Sequence, residues 1–263
     1  MTRVLVTGGN GVLGGEVVTK LVGLGYTVRV MSRRSAPADM QAGLEWVQVD
    51  LESGQGLAEA VQGVEVVVHA ASSPFKHTRQ VDVEGTGRLL EAVRVAQVGH
   101  FIYISIVGIE KIPFGYYRSK LAAEELIKSS EVPWSILRAA QFYSFFERLF
   151  EAAAKVPVVM PVPGGLKSQP VADSEVASRL CELVAADPAG RVPDMYGPKV
   201  WTWGELAPGW LAARGIQRRV IQLPLPGKAA QGFRRGYNTC LECPEDVRGK
   251  ITWDMWLRQK YGR

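Results

Sequence analysis

Apolar and polar positions along the chain alternate between two periods, and that alternation sets the expected order of elements. Val4-Leu5-Val6 reads as a short buried strand, and Val17, Val18, Leu21 and Val22 then recur at helical spacing. Between them lies the glycine-rich run Thr7-Gly8-Gly9-Asn10-Gly11-Val12-Leu13-Gly14. A second strand is predicted over 26–31, and a third over 44–49, where alternation ends in Asp50-Leu51. A short helix over 56–62 leads to the apolar run 64–69, typical of a strand buried on both faces. Small residues, Ala70-Ala71-Ser72-Ser73, close that run. A long helix over 81–97, a strand over 101–105, a helix over 117–130 and a strand over 133–138 complete the first half. Repeated β–α alternation predicts an α/β fold: a Rossmann-type, doubly wound parallel sheet with ligands at its carboxyl edge.

Beyond Arg138 the pattern loosens. Phe142, Phe145, Phe146, Leu149 and Phe150 fall at helical spacing and are expected on one face. A proline- and glycine-rich passage (157–170), a helix over 173–186, and segments carrying Trp201, Trp203, Trp210, Trp253 and Trp256 follow. The expectation is a nucleotide-binding core over 1–140 and a small C-terminal substrate-side lobe over 141–263, packed together as one compact unit. Core packing accounts for the Phe stripe and the tryptophans more readily than an apolar wall over a ligand does.

Composition narrows the class. The chain has 263 residues, 47% hydrophobic and 22% charged, as a soluble globular protein does. Its net charge of +5 and pI near 9.1 hint at anionic ligands. The basic residues are scattered apart from the short pairs Arg33-Arg34, Arg218-Arg219 and Arg234-Arg235, with no basic helix, so no nucleic acid is expected. No apolar run approaches the ~20 residues of a membrane span. Three cysteines make no disulfide framework, and the first strand leaves no room for a signal peptide; both suggest a cytoplasmic protein. Cys240-Leu241-Glu242-Cys243 has no second ligand pair nearby and reads as incidental, so no metal is expected. A homo-oligomer is left open.

Two stretches carry candidate chemistry. In the first, Gly8 suits a tight turn off the strand, Gly11 lets backbone approach a pyrophosphate, and Gly14 lets helix and strand pack closely. The helix-start amides around Val12 and Leu13 would face the phosphates. Glycines 9, 11 and 14 also fit the alternative G-x-G-x-x-G spacing, so the pattern alone does not choose between dinucleotide-binding families. After the second strand comes Ser32-Arg33-Arg34 where an NAD-preferring fold carries an acid. Two guanidiniums and a hydroxyl suit a 2′-phosphate, which favours NADP(H). In the second stretch, Tyr116 and Lys120 lie four apart at a helix start. An ammonium near a phenol favours the phenolate and fits Tyr116 for proton transfer. Ser105, at the preceding strand end, would hydrogen-bond the same substrate oxygen. Tyr117, three residues from Lys120, is the alternative acid/base.

These residues, with Asp50-Leu51 and Leu137-Arg138, resemble the short-chain dehydrogenase/reductase superfamily, and most of all its atypical branch of NmrA-like and complex-I-subunit-like NAD(P)H-binding proteins. The resemblance implies that the turn with Asn10 holds the cofactor, and that Asp50 and Leu51 line the adenine. It implies Ala70 and Ala71 beside the adenosine ribose, Lys120 on the nicotinamide ribose, and Gln141 and Phe142 at the nicotinamide edge. Two departures stand out: Asp82, where extended members typically carry asparagine, and Ser105-Ile106-Val107-Gly108 in place of a serine pair. The implied activity is an NADP(H)-dependent oxidoreductase acting on a carbonyl or alcohol of a small apolar substrate. A non-catalytic NADPH-binding sensor is the alternative, since the branch includes members without turnover. A sugar-nucleotide epimerase would need a larger polar lobe.

Overall fold

The computed structural model describes residues 2–262. In chain order the elements are β1 (Arg3–Thr7), α1 (Val12–Gly23), β2 (Thr27–Ser32), β3 (Leu44–Gln48), α2 (Leu57–Val61) and β4 (Val66–His69). A π-helical segment (Arg79–Gly85) runs into α3 (Thr86–Val95), followed by β5 (His100–Ile106), α4 (Gly115–Ser129), β6 (Trp134–Ala139) and α5 (Tyr143–Ala153). Then come β7 (Val159–Pro163), β8 (Lys167–Ser168), α6 (Asp173–Val184), β9 (Gly190–Arg191), β10 (Trp201–Thr202), α7 (Trp203–Arg214), β11 (Arg219–Leu223), α8 (Lys228–Arg234) and α9 (Trp253–Tyr261).

The main sheet has the order β3-β2-β1-β4-β5-β6-β9. Pairing is parallel from β3 through to β5 and again between β6 and β9. The doubly wound architecture read from the alternation is therefore the one observed. Strand order reverses between β1 and β4, so their carboxyl ends flank the crevice where such sheets take ligands. Val4, Leu5, Val6, Val67 and Val68 are fully buried, as central strands covered on both faces require.

The chain divides into two compact units. The first comprises 1–105, 115–138 and 176–193; the second comprises 106–114, 139–175 and 194–263. The boundary drawn at residue 140 lies close to the passage out of β6, but 176–193 returns to the first unit and completes it with most of α6 and with β9. The core of the second unit gathers Tyr143, Phe146, Phe150, Met160, Trp203, Trp210 and Trp253. Trp253 donates its indole N–H to the Leu206 carbonyl at 3.1 Å, and Tyr143 donates to the Ile251 carbonyl at 2.9 Å. Packing thus accounts for most of the aromatic residues. The stripe is narrower than expected, however. Phe146 and Phe150 are buried, while Phe145 turns outward with 39% of its surface exposed.

Candidate functional site

The first unit builds a cradle at the β1/β4 switch point. Gly8, with φ of +68°, starts the turn in the left-handed region, and an added Cβ would lie 2.8 Å from Ala71 backbone. At Gly14 a Cβ would lie 2.2 Å from the Gly8 carbonyl oxygen, so only glycine lets α1 pack this closely. Gly11 is the N-cap of α1 and supplies no side-chain cap, and the first turn holds no acidic residue. The first amides of α1 are therefore left to an external acceptor, with the positive end of the helix dipole behind them. Val12 lies beside them with 41% exposure, while Leu13 turns into the core.

The loop after β2 is held by its neighbours. Asn10 Nδ2 and the Arg34 amide both donate to Ser32 Oγ, at 2.8 and 3.0 Å. Trp46 donates to the Arg34 carbonyl at 2.8 Å and Gln48 to the Arg33 carbonyl at 3.0 Å. With its oxygen accepting twice, Ser32 keeps its own proton to give. The Arg33 and Arg34 side chains are exposed and form no ion pair among the described residues. Asp50 accepts the Glu52 amide at 3.0 Å, and Leu51 packs into the core beneath it.

Under the switch point runs a buried line of hydrogen bonds. Thr7 Oγ1 accepts the Ala70 and Ala71 amides at 3.1 and 3.0 Å and meets His69 Nδ1 at 2.7 Å. His69 Nε2 meets Thr86 Oγ1 at 3.0 Å, and Thr86 donates to the Asp82 carbonyl at 2.8 Å. Because Thr7 already accepts twice, its proton goes to Nδ1, and the imidazole carries its own proton on Nε2. Burial, then the charge of Lys120, lowers the His69 pKa to about 3, so the ring is neutral.

Lys120, 2% exposed, points inward from α4, with Nζ 4.1 Å above the Tyr103 ring. It forms no ion pair among the described residues. Burial brings its pKa down to about 8, against the opposing pull of Asp82 and Glu124. Tyr116 is half-buried, and its hydroxyl lies 2.8 Å from Ser72 Oγ. Ser72 in turn donates to Asp82 Oδ1 at 2.5 Å, while Asp82 Oδ2 accepts the Ser73 amide at 2.8 Å. Asp82 is 1% exposed and sits in the π-helical segment.

Two expectations change here. Lys120 was expected to lower the pKa of Tyr116, but burial pushes the phenol well above its ordinary value, only partly offset by the Ser72 bond, and Asp82 adds to the rise. Ser105 was expected to hydrogen-bond the same substrate oxygen as Tyr116; it is 2% exposed, and the hydroxyl bonded to Tyr116 is that of Ser72. Ser105 shares the β5 face of Phe101 and Tyr103, and its Oγ is enclosed without a hydrogen bond of full geometry. Its neighbour is the Glu124 carboxylate. Burial raises that group, but the bidentate Arg138 bonds (2.7 and 2.6 Å), Ser105 and Lys128 bring it below its usual value. Tyr117 is buried, its ring tilted against Tyr116. Gln141 and Phe142 lie in the second unit, where Gln141 Oε1 accepts from Asn238 at 2.9 Å and Phe142 bridges to Val171.

The residues that sequence reasoning did not assign are Ser72 and Asp82. Asp82 stood out only as a departure, and Ser72 only as one small residue among four.

A sheet reversing at β1/β4, with an uncapped helix start over a glycine turn, defines a dinucleotide-binding protein of the NAD(P)-binding oxidoreductase class. Residues 8–186 match the NAD(P)H-binding family, and the chain belongs to it, within the atypical NmrA-like branch of the short-chain dehydrogenases/reductases. Among relatives, a photosystem II assembly factor Ycf39 of Trieres chinensis is 26% identical over 84% of this chain and 72% of its own length. A ceramide reductase of Caulobacter vibrioides is 26% identical over 87% of this chain and 76% of its own. The solved structure of an NADPH-dependent quinone oxidoreductase from Escherichia coli, in complex with NADPH, shares the fold. Its TM-score is 0.79 at 19% identity, covering 98% of this chain and 99% of that one. Among the described residues no helix is long and apolar enough to cross a membrane.

Proposed function

We propose that the protein is an NADP(H)-dependent oxidoreductase that interconverts a carbonyl and an alcohol on a small apolar substrate, with Tyr116 moving the proton. The observation that carries this reading is Lys120, a buried ammonium held over a ring and without an ion pair among the described residues. An unpaired buried cation costs several kcal/mol, and a ribose diol accepting its hydrogens would offset that cost. The dinucleotide, when bound, supplies or accepts the hydride. The bare start of α1 would hold its phosphates. Ser32, with a proton to give, and the free guanidiniums of Arg33 and Arg34 support a 2′-phosphate and hence NADP(H) over NAD(H). The relative named a ceramide reductase supports an apolar substrate.

Titration should show NADPH bound roughly tenfold or more tightly than NADH, and Arg33→Ala with Arg34→Ala should erase most of that difference. Equal affinities in the unmutated protein would remove the NADP assignment. In a screen of aldehydes, ketones and quinones, Tyr116→Phe should reduce turnover by about 10²-fold or more while leaving NADPH affinity near its original value. Tyr117→Phe should be nearly silent. If the two variants exchange these outcomes, the proton-transfer role passes to Tyr117.

A second reading, an NADPH-binding sensor without turnover, is favoured by the raised phenol pKa and by the relative named an assembly factor. Tight NADPH binding with no turnover across the whole screen would select it.

A further inference from the structure

We propose that Ser72 and Asp82 are positioning residues that fix the direction of the Tyr116 proton and provide its onward path. The proposal rests on the reading of Tyr116 as the proton-transfer group. A carboxylate only accepts, so the short Ser72–Asp82 bond consumes the single proton of Ser72. Ser72 Oγ then offers Tyr116 only a lone pair at 2.8 Å, and the phenol must spend its own proton on Ser72. The lone pairs of Tyr116 are left for an incoming hydroxyl. At rest, the tyrosine is set to receive a proton rather than to give one.

The transfers in alcohol oxidation balance along this line. The substrate O–H bond breaks and its proton joins Tyr116 Oη. The phenol's proton moves to Ser72 Oγ, and the proton of Ser72 moves to Asp82 Oδ1. The carbinol hydrogen would leave with its electron pair, which an oxidised dinucleotide held in the cradle would accept, so that the substrate becomes a carbonyl. In reduction the same transfers run backwards, starting from a protonated Asp82.

Asp82→Asn should reverse the direction. The Ser73 amide requires an acceptor, so the new amide oxygen turns to it and the NH2 faces Ser72. Ser72 then donates to Tyr116, and the phenol's proton turns outward. A role in shape alone would not change which group donates.

Two measurements test the idea. The first needs neither substrate nor cofactor: the Raman Fermi doublet of Tyr116, taken as the difference from Tyr116→Phe, distinguishes a donating phenol from an accepting one. The unmutated protein should show a donor, and Asp82→Asn should move the ratio to the accepting form. An unchanged ratio overturns the proposal. Ser72 is exposed, so Ser72→Ala should fold even if Asp82→Asn does not, and it should also abolish the donor signature. The second is a proton inventory of alcohol oxidation in mixed light and heavy water. It should be curved in the unmutated protein, with several protons in flight. In both variants it should become linear, with turnover lowered about tenfold or more. Unmutated-like kinetics in both variants overturn the relay while leaving Tyr116 in its role. Full turnover by Tyr116→Phe instead overturns the functional reading, and the relay with it, leaving the Raman result to describe hydrogen-bond direction alone.

Discussion

Lys120 shows how one side chain can be set against the fold that holds it. Its pKa of about 8 lies below the ordinary 10.5 because burial disfavours the ammonium. A lysine whose folded pKa is depressed costs stability in full below that pKa, and the cost fades between about pH 8 and 10.5. Lys120→Met should therefore stabilise the ligand-free protein by about 3 kcal/mol at pH 7, with the advantage shrinking as pH rises through this window. Denaturant melts of both proteins across that range check it; a variant less stable at pH 7 would refute it. The same variant should bind dinucleotide poorly, and binding to the unmutated protein should weaken above pH 8. The Tyr116–Lys120 spacing and the glycine turn were legible in the sequence because both are local. The hydroxyl partner of Tyr116 was not. Ser105 occupies the expected strand end, but period-two alternation along β5 turns it inward with Phe101 and Tyr103. Only the folded chain brings Ser72 to the phenol.

Among elements, α4 and β6 are joined by the Glu124–Arg138 pair, both partners buried. Removing Arg138 leaves the buried Glu124 carboxylate with only the more distant, partly exposed Lys128 at 3.6 Å, so Arg138→Met should cost about 3 kcal/mol in thermal or denaturant unfolding. The folded Glu124 pKa is lowered, so the contribution of the pair is complete above the unfolded carboxyl pKa and is lost as pH falls through the folded value. The gap between variant and unmutated protein should therefore narrow in acid; a gap independent of pH would show that packing, not charge, carries the cost. Element order was readable from hydrophobic period. The helix expected over 81–97 is π-helical in its opening part, a difference in backbone hydrogen bonding that side-chain periodicity does not register. Asp82 sits in that opening part.

For the whole molecule, the informative fact is that the first unit is assembled from three separate stretches of chain. The stretch 176–193 brings the buried face of α6, with Val176, Ala177, Leu180 and Val184, and pairs β9 onto β6. A fragment of residues 1–140 lacks all of this and should show no cooperative thermal transition, whereas a chain retaining 176–193 should. Cooperative melting of the short fragment near the temperature of the full protein would show that the returning stretch is dispensable. The linear sequence gave no sign of this return, because the periodicity of α6 shows that it has a buried face but not which strands cover it.

The Thr7–His69–Thr86 line beneath the cradle makes the imidazole an observer of the site. Its Nε2 hydrogen is enclosed and its ring does not titrate in the neutral range, so it should exchange slowly with solvent and appear as a sharp downfield proton resonance at neutral pH. Any event that pulls the Ala70 or Ala71 amide from Thr7 frees that threonine to turn its own proton away from Nδ1. The resonance would then shift or vanish. The strand end therefore carries its own unlabelled spectroscopic reporter of occupancy, readable before any substrate is known.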